Sequence, residues 1–276
     1  MRQSQEMKCI YINLDSAGDR RTRFEANWAA NRGADWRLER FAALDTRYVE
    51  QHAVGGTLRP AEKACFLSHC SSIALNMNAT APLFVLEDDA VLGPHSAPTI
   101  DNFLRVSDNY DWDIVFTEVG IVSPAAMLDL IKLRQELTGK DEVRLLDLAK
   151  LPFGGATGYI INHRSLKKIG ALLGVHEELH IPYDLLLRKL IYEKKLKGLV
   201  FFPFVSSLSS ASPSDIRVEG AADRIWTAFR QLAWLDRDLD ALRPAIEQIG
   251  EDLCDEESRL LGILLAGQAS PSFVTK

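Results

Sequence analysis

The sequence predicts an α/β chain whose helices flank a sheet, followed by a C-terminal helical appendage. Short runs rich in Val, Ile, Leu and Phe, at 8–14, 83–91, 111–116, 158–162 and 199–205, alternate with longer stretches whose apolar residues recur every three or four positions. Beyond residue 216 the strand-like runs stop. Ile225, Phe229, Leu232, Leu239, Leu242, Ile246 and Ile249 then repeat at helical steps, with Pro244 interrupting, so 221–268 should hold two or three helices.

The expected division is a domain over 1–216 and a helical extension over 217–276, which 276 residues accommodate. A net charge of -6 argues against a general nucleic-acid binder, which would carry a basic stripe. Cys9, Cys65, Cys70 and Cys254 lack CxxC or Cys/His ligand spacing, so reduced, packed thiols are expected and a structural zinc is not. The opening MRQSQEMKC has no apolar signal segment, and no run reaches the ~18 apolar residues of a membrane span, which points to the cytoplasm.

The first buried strand, 8–14, turns at 15–18 into a helix that Asp19 should cap. Arg20 and Arg21 fall in its first turn against the helix dipole; a negative ligand would rationalise them, and so would pairing with Asp15, Asp19 or Glu25. A second strand over 36–44 ends at Asp45. Pro60 suits the start of a helix carrying Ala64, Cys65, Leu67, Ser68 and Ile73, with His69 placed mid-helix, where a packed or solvated ring is the bland reading. A helix over 123–140 ends at Gly139, and 143–148 reads as strand or loop. The glycine-rich 152–158 leads into a strand and lacks the Lys-Ser/Thr of a phosphate loop. Helices after His163 and from Pro182 to Lys197 carry the one locally basic surface, and 206–215 reads as a low-complexity linker.

The chain is organised around Glu87-Asp88-Asp89, at the end of the apolar run 83–86. In open α/β sheets ligands bind at that strand edge. Alternation puts Glu87 and Asp89 on one side and Asp88 on the other. Like charges about 4 Å apart repel by roughly 4 kcal/mol at an effective dielectric near 20, so the pair needs a cation, a shared proton or hydrogen bonds. Oxygen ligands with no His or Cys beside them suit Mg2+ or Mn2+ better than zinc. A solvated turn is the plain alternative.

The order of motifs resembles glycosyltransferase family 25, the lipopolysaccharide and lipooligosaccharide biosynthesis family. The matching pieces are Ile12-Asn13-Leu14, Asp19-Arg20-Arg21, Ala43-Leu44-Asp45, Glu62 through His69, Leu86-Glu87-Asp88-Asp89, Trp112-Asp113-Ile114, Gly155 through Tyr159, Pro182-Tyr183-Asp184 and Ser214-Asp215-Ile216. They cover roughly 8–216. Arg59-Pro60-Ala61 stands where the family has a glycine, which leaves the acceptor in question.

The resemblance implies a GT-A-like (Rossmann-like) mixed sheet flanked by helices, and inverting transfer of a hexose, commonly galactose from UDP-galactose. It implies Mn2+ or Mg2+ on Glu87 and Asp89. It places the nucleotide-sugar among Asn13, Leu14, Asp19, Arg20, Arg21, Asp45, Glu62, Ser68, His69, Asp88, Gly155 and Thr157. An inverting displacement needs a base near the acceptor hydroxyl; Asp184 is the candidate and Asp215 the reserve. The expected partners are a UDP-sugar and a lipid-linked saccharide, approached by the basic helices, with peripheral contact at the inner membrane. The tail reads as a cap on the sheet, a homodimer interface or a surface near the membrane. An inactive sugar-binding module and another metal-dependent nucleotide transferase are the alternatives.

Overall fold

The computed structural model describes residues 7–138, 142–174, 178–209, 221–240 and 242. Its strands are β1 (Met7–Asn13), β2 (Trp36–Ala42), β3 (Leu83–Glu87), β4 (Ala90–Leu92), β5 (Ile114–Phe116), β6 (Arg144–Asp147), β7 (Gly158–Ile161), β8 (Gly198–Phe202) and β9 (Ser206–Leu208). Seven of them form one sheet in the order β2-β1-β3-β7-β5-β8-β6. β4 and β9 make a separate antiparallel pair. The sheet is mixed: β1 runs parallel to β2 and β3, β5 parallel to β8, while β7 runs antiparallel to β3 and β5 and β6 antiparallel to β8.

Among the described residues eight helices pack around it: α1 (Gly18–Asn31), α2 (Thr46–Gln51), α3 (Pro60–Ala74), α4 (Ser96–Val106), α5 (Pro124–Thr138), α6 (Leu166–Leu173), α7 (Tyr183–Tyr192) and α8 (Ala221–Ala233). The central run Leu83, Phe84, Val85 and Leu86 is fully buried because both sheet faces are covered. Leu83 and Val85 join the core that includes Phe66 of α3 and Phe229 of α8, whereas Phe84 and Leu86 join Phe24, Trp28 and Phe103 on the α1 and α4 side.

Several expected boundaries move. Ala17, not Asp19, holds the N-cap position of α1, and no side chain caps it. β2 stops at Ala42 rather than residue 44, because Ala43 N–H turns to the Asn13 carbonyl and Leu44 N–H to the Ser68 hydroxyl. The helix from Pro182 ends at Tyr192, where Lys194 takes a positive φ of 57°. The ambiguous 143–148 is strand β6 entering a 3-10 turn, Leu148–Lys150. The run 199–205 is divided between β8 and the approach to β9. Gly139 and most of the tail helices expected after α8 lie outside the described residues. α8 itself enters the main core through Ile225, Phe229 and Leu232.

Candidate active site

Strand direction gathers the chemistry on one edge. The carboxyl ends of β1, β3 and β5 point the same way, and antiparallel β7 begins there, with Gly158 opposite Leu86. Asn13, Glu87 to Asp89, Glu118 and the loop Gly155 to Thr157 therefore meet where strand order reverses between β1 and β3, the usual ligand crevice of such sheets.

The three acids divide as alternation requires. Asp88 faces α1: Asn13 Nδ2 donates to it at 2.6 Å and Arg20 pairs with it. Glu87 faces α3, where His69 Nε2 lies 3.3 Å away. Burial pushes the Glu87 carboxyl up, but the hydrogen bond and charge of His69, with Arg20 and Arg230 behind, outweigh burial and leave it below the usual range. Asp89 lacks a partner like His69. Among the described residues its Oδ1 is buried without a hydrogen-bond partner, and burial together with Glu87 pushes its carboxyl up to about 7. A cation on Glu87 and Asp89 fits this arrangement, since it would satisfy the orphaned oxygen and offset the repulsion.

His69 is neither solvated nor merely packed. Its Nδ1 lies 2.8 Å from the Tyr159 hydroxyl, which lies 2.8 Å from that of Tyr183, and its ring stacks on Tyr183 at 4.3 Å. Cys65, one turn earlier on α3, joins them: its thiol, His69 and Glu87 present ligand atoms within 4.8 Å of one another. This corrects two expectations, that no His or Cys stands beside the acids and that the cysteines lack ligand spacing. The Cys-x3-His step on α3 was visible in the sequence; its nearness to Glu87 was not.

Asp184 lies in the first turn of α7 and accepts the Gly155 N–H at 2.7 Å. It bonds the glycine loop rather than capping its own helix. Gly155 has a φ of +82°, and a Cβ there would sit 3.0 Å from Arg230 Nη2, so both conformation and space favour glycine. Arg230 is the residue sequence reasoning missed. It comes from α8, forms a buried two-pronged pair with Glu118 and reaches Thr157 Oγ1 at 3.4 Å. No local signal links residues so distant in sequence.

Residues 7–187 match the family described as Glycosyltransferase family 25 (LPS biosynthesis protein). The chain belongs to glycosyltransferase family 25. The match includes the acidic triplet, His69 and Asp184, while Arg230 lies beyond it. No curated protein matches the sequence. Similar solved structures include the glycosyltransferase GlyE of Streptococcus pneumoniae TIGR4, at 10% identity and a TM-score of 0.34 over 69% of this chain. This chain spans 44% of the GlyE chain. Mouse xyloside xylosyltransferase 1, in its apo form, gives 9% identity and a TM-score of 0.36, over 70% of this chain and 77% of that one.

The remaining residues expected to hold nucleotide-sugar in this family 25 chain are spread along the same edge and beyond it. Asn13 is buried and already serves Asp88, Arg40 and the Ala17 carbonyl. Leu14 is half-buried at the turn, and Asp19 is exposed on α1. Arg21 takes the local explanation by pairing with Glu25, whereas Arg20 crosses to Asp88. Asp45 caps α2 through the Tyr48 N–H, and Glu62 closes a capping box with Arg59 at the start of α3. Ser68 ties α3 to the Leu44 N–H. Thr157 gives its carbonyl to the Glu87 N–H at 2.7 Å. Asp215 lies outside the described residues. The expected basic approach surface is laced with acids: Lys168 pairs with Asp113, Arg164 with Asp108, Lys195 with Glu193 and Lys197 with Asp111.

Asp89 sets a pH dependence. Its folded carboxyl holds a proton up to about 7 against an ordinary 3.8, so the folded state binds more protons than the unfolded one across that window. In chelator-treated protein the Asp89 contribution to stability should be full below pH 3.8 and lost as pH rises through about 7. Denaturant unfolding of native and Asp89→Asn protein checks this; parallel pH profiles would show that Asp89 contributes no such slope.

Proposed function

We propose that this family 25 enzyme is a metal-dependent inverting transferase that moves galactose from UDP-galactose to a saccharide acceptor. The acceptor is the growing, lipid-linked chain of a lipopolysaccharide, lipooligosaccharide or related surface glycan, met in the cytoplasm with peripheral contact at the inner membrane. The observation that carries the reading is the division of labour in the acidic triplet: Asp88 is consumed by Asn13 and Arg20, while Asp89 presents a buried oxygen with no hydrogen-bond partner among the described residues, beside Glu87.

Glu87 and Asp89 would hold Mn2+ or Mg2+, which when bound supplies Lewis-acid charge to the donor diphosphate. The chain's own part is positioning and proton transfer. Arg20 and Arg230 add positive charge that already acts on Glu87 and Asp89 and favours an anionic donor there. Gly155, without a side chain, lets backbone approach the sugar closely. Asp184 takes the proton of the acceptor hydroxyl; that oxygen forms the new bond to the anomeric carbon as the bond to the diphosphate breaks, the electron pair leaving with UDP.

A screen of UDP-sugars for UDP release tests this. Release should be strongest with UDP-galactose, stop on chelation and return with Mn2+. Release indifferent to chelation, or none with any UDP-sugar, would overturn the reading.

A further inference from the structure

Cys65 and His69 stand four residues apart on α3, so their side chains leave the same face of the helix. That face meets the end of β3, where Cys65 Sγ, a His69 ring nitrogen and a Glu87 oxygen lie within 4.8 Å of one another. The nitrogen facing Glu87 is Nε2, while Nδ1 is held by the Tyr159 hydroxyl and the ring is fixed by stacking on Tyr183. Ligating histidines commonly have one nitrogen aimed at the ion and its other ligands and the second fixed by a hydrogen bond.

We propose that Cys65, His69 and Glu87 form a second cation site, suited to a borderline-soft divalent ion of the Zn2+ class, which shares Glu87 with the Glu87 and Asp89 pair. One sulfur, one imidazole and one carboxylate make a three-ligand set that leaves a fourth position open, as in exchangeable zinc sites. Oxygen ligands alone select harder ions. Burial, then the facing carboxylates of Glu87, Asp184 and Asp89, keep the Cys65 thiol protonated when no ion is bound. Binding therefore breaks the S–H bond and the Nε2–H bond that faces Glu87, forms bonds from sulfur and from that nitrogen to the ion, and releases the displaced protons to solvent. The same carboxylates draw a cation in. Because Glu87 belongs to both ligand sets, filling the softer site withdraws it from the harder one; this competition rests on the proposed donor chemistry, whereas the binding does not.

Cobalt titrated into the full, reduced chain tests the site. Native protein should bind one equivalent of Co2+ with a sulfur-to-cobalt charge-transfer band that Zn2+ bleaches. Cys65→Ser should lose the band, Cys70→Ser should keep it, and His69→Gln, which removes a direct ligand, should weaken binding by more than the roughly tenfold that loss of an outer-shell partner costs. No band in native protein, or one that survives Cys65→Ser, overturns the site. Should Cys65→Ser fail to fold, Zn2+ protection of Cys65 from alkylation in native protein, read by peptide mass, decides the same question: protection supports the site and its absence overturns it. Zn2+ should also raise the Mn2+ needed for UDP release in native protein but not in Cys65→Ser. Equal inhibition of both overturns the competition. Absence of UDP release with every donor overturns the donor reading alone and leaves the cobalt result standing.

Discussion

Arg230→Ala should cost about 3–5 kcal/mol of folding stability, because it strands a buried carboxylate. Arg230 is 3% exposed and its partner Glu118 is completely buried. Water cannot replace the guanidinium, so Glu118 would have to remain charged in a poorly solvating interior or take up a proton. The double change Arg230→Met with Glu118→Leu removes both charges at similar volume and should recover most of the loss. Urea unfolding of the three proteins reads both effects. A single-variant cost under about 1 kcal/mol, the range of exposed pairs, would mean the pair is solvated after all. The same substitution removes positive charge that lowers Glu87 and Asp89, so both carboxyls should move up.

Asp184→Asn should lower kcat by about 10²- to 10⁴-fold while leaving donor affinity unchanged, as loss of a general base does. The substitution is isosteric, and the amide oxygen can still accept the Gly155 N–H that Asp184 accepts at 2.7 Å. Loop position should survive, so the loss reports proton transfer rather than collapse of the site. Calorimetry with UDP and Mn2+ measures donor binding, and single-turnover transfer measures chemistry. Near-normal turnover would remove Asp184 from the base role; weakened donor binding would make it a holder of the glycine loop instead.

Much of this site was legible in the chain because local rules suffice for it. An apolar run ending in three acids predicts a buried strand with carboxylates at its ligand-binding edge, and the two-residue period already separates Asp88 from Glu87 and Asp89. The start of α3 was legible from Pro60, which fits the first helical turn, whereas Glu62, expected at the nucleotide-sugar, instead closes the capping box there. Asp19 does not hold the N-cap because the Ala17 carbonyl accepts the Arg21 N–H, which sets the cap of α1 two residues earlier.

By itself the sequence determined the α/β class, the acidic strand end and kinship with a sugar-transferring family, all of which follow from side-chain period and short motifs. Only the tertiary structure decided which side chains those acids meet. It set His69 and Cys65 against Glu87, gave Arg20 to Asp88 and Arg21 to Glu25, and brought Arg230 from α8 to Glu118. The physical reason is that the order of strands in a sheet is a long-range choice. The crevice between β1 and β3 and the antiparallel entry of β7 arise from whole-chain packing, and residues far apart in sequence become neighbours only once that packing is complete.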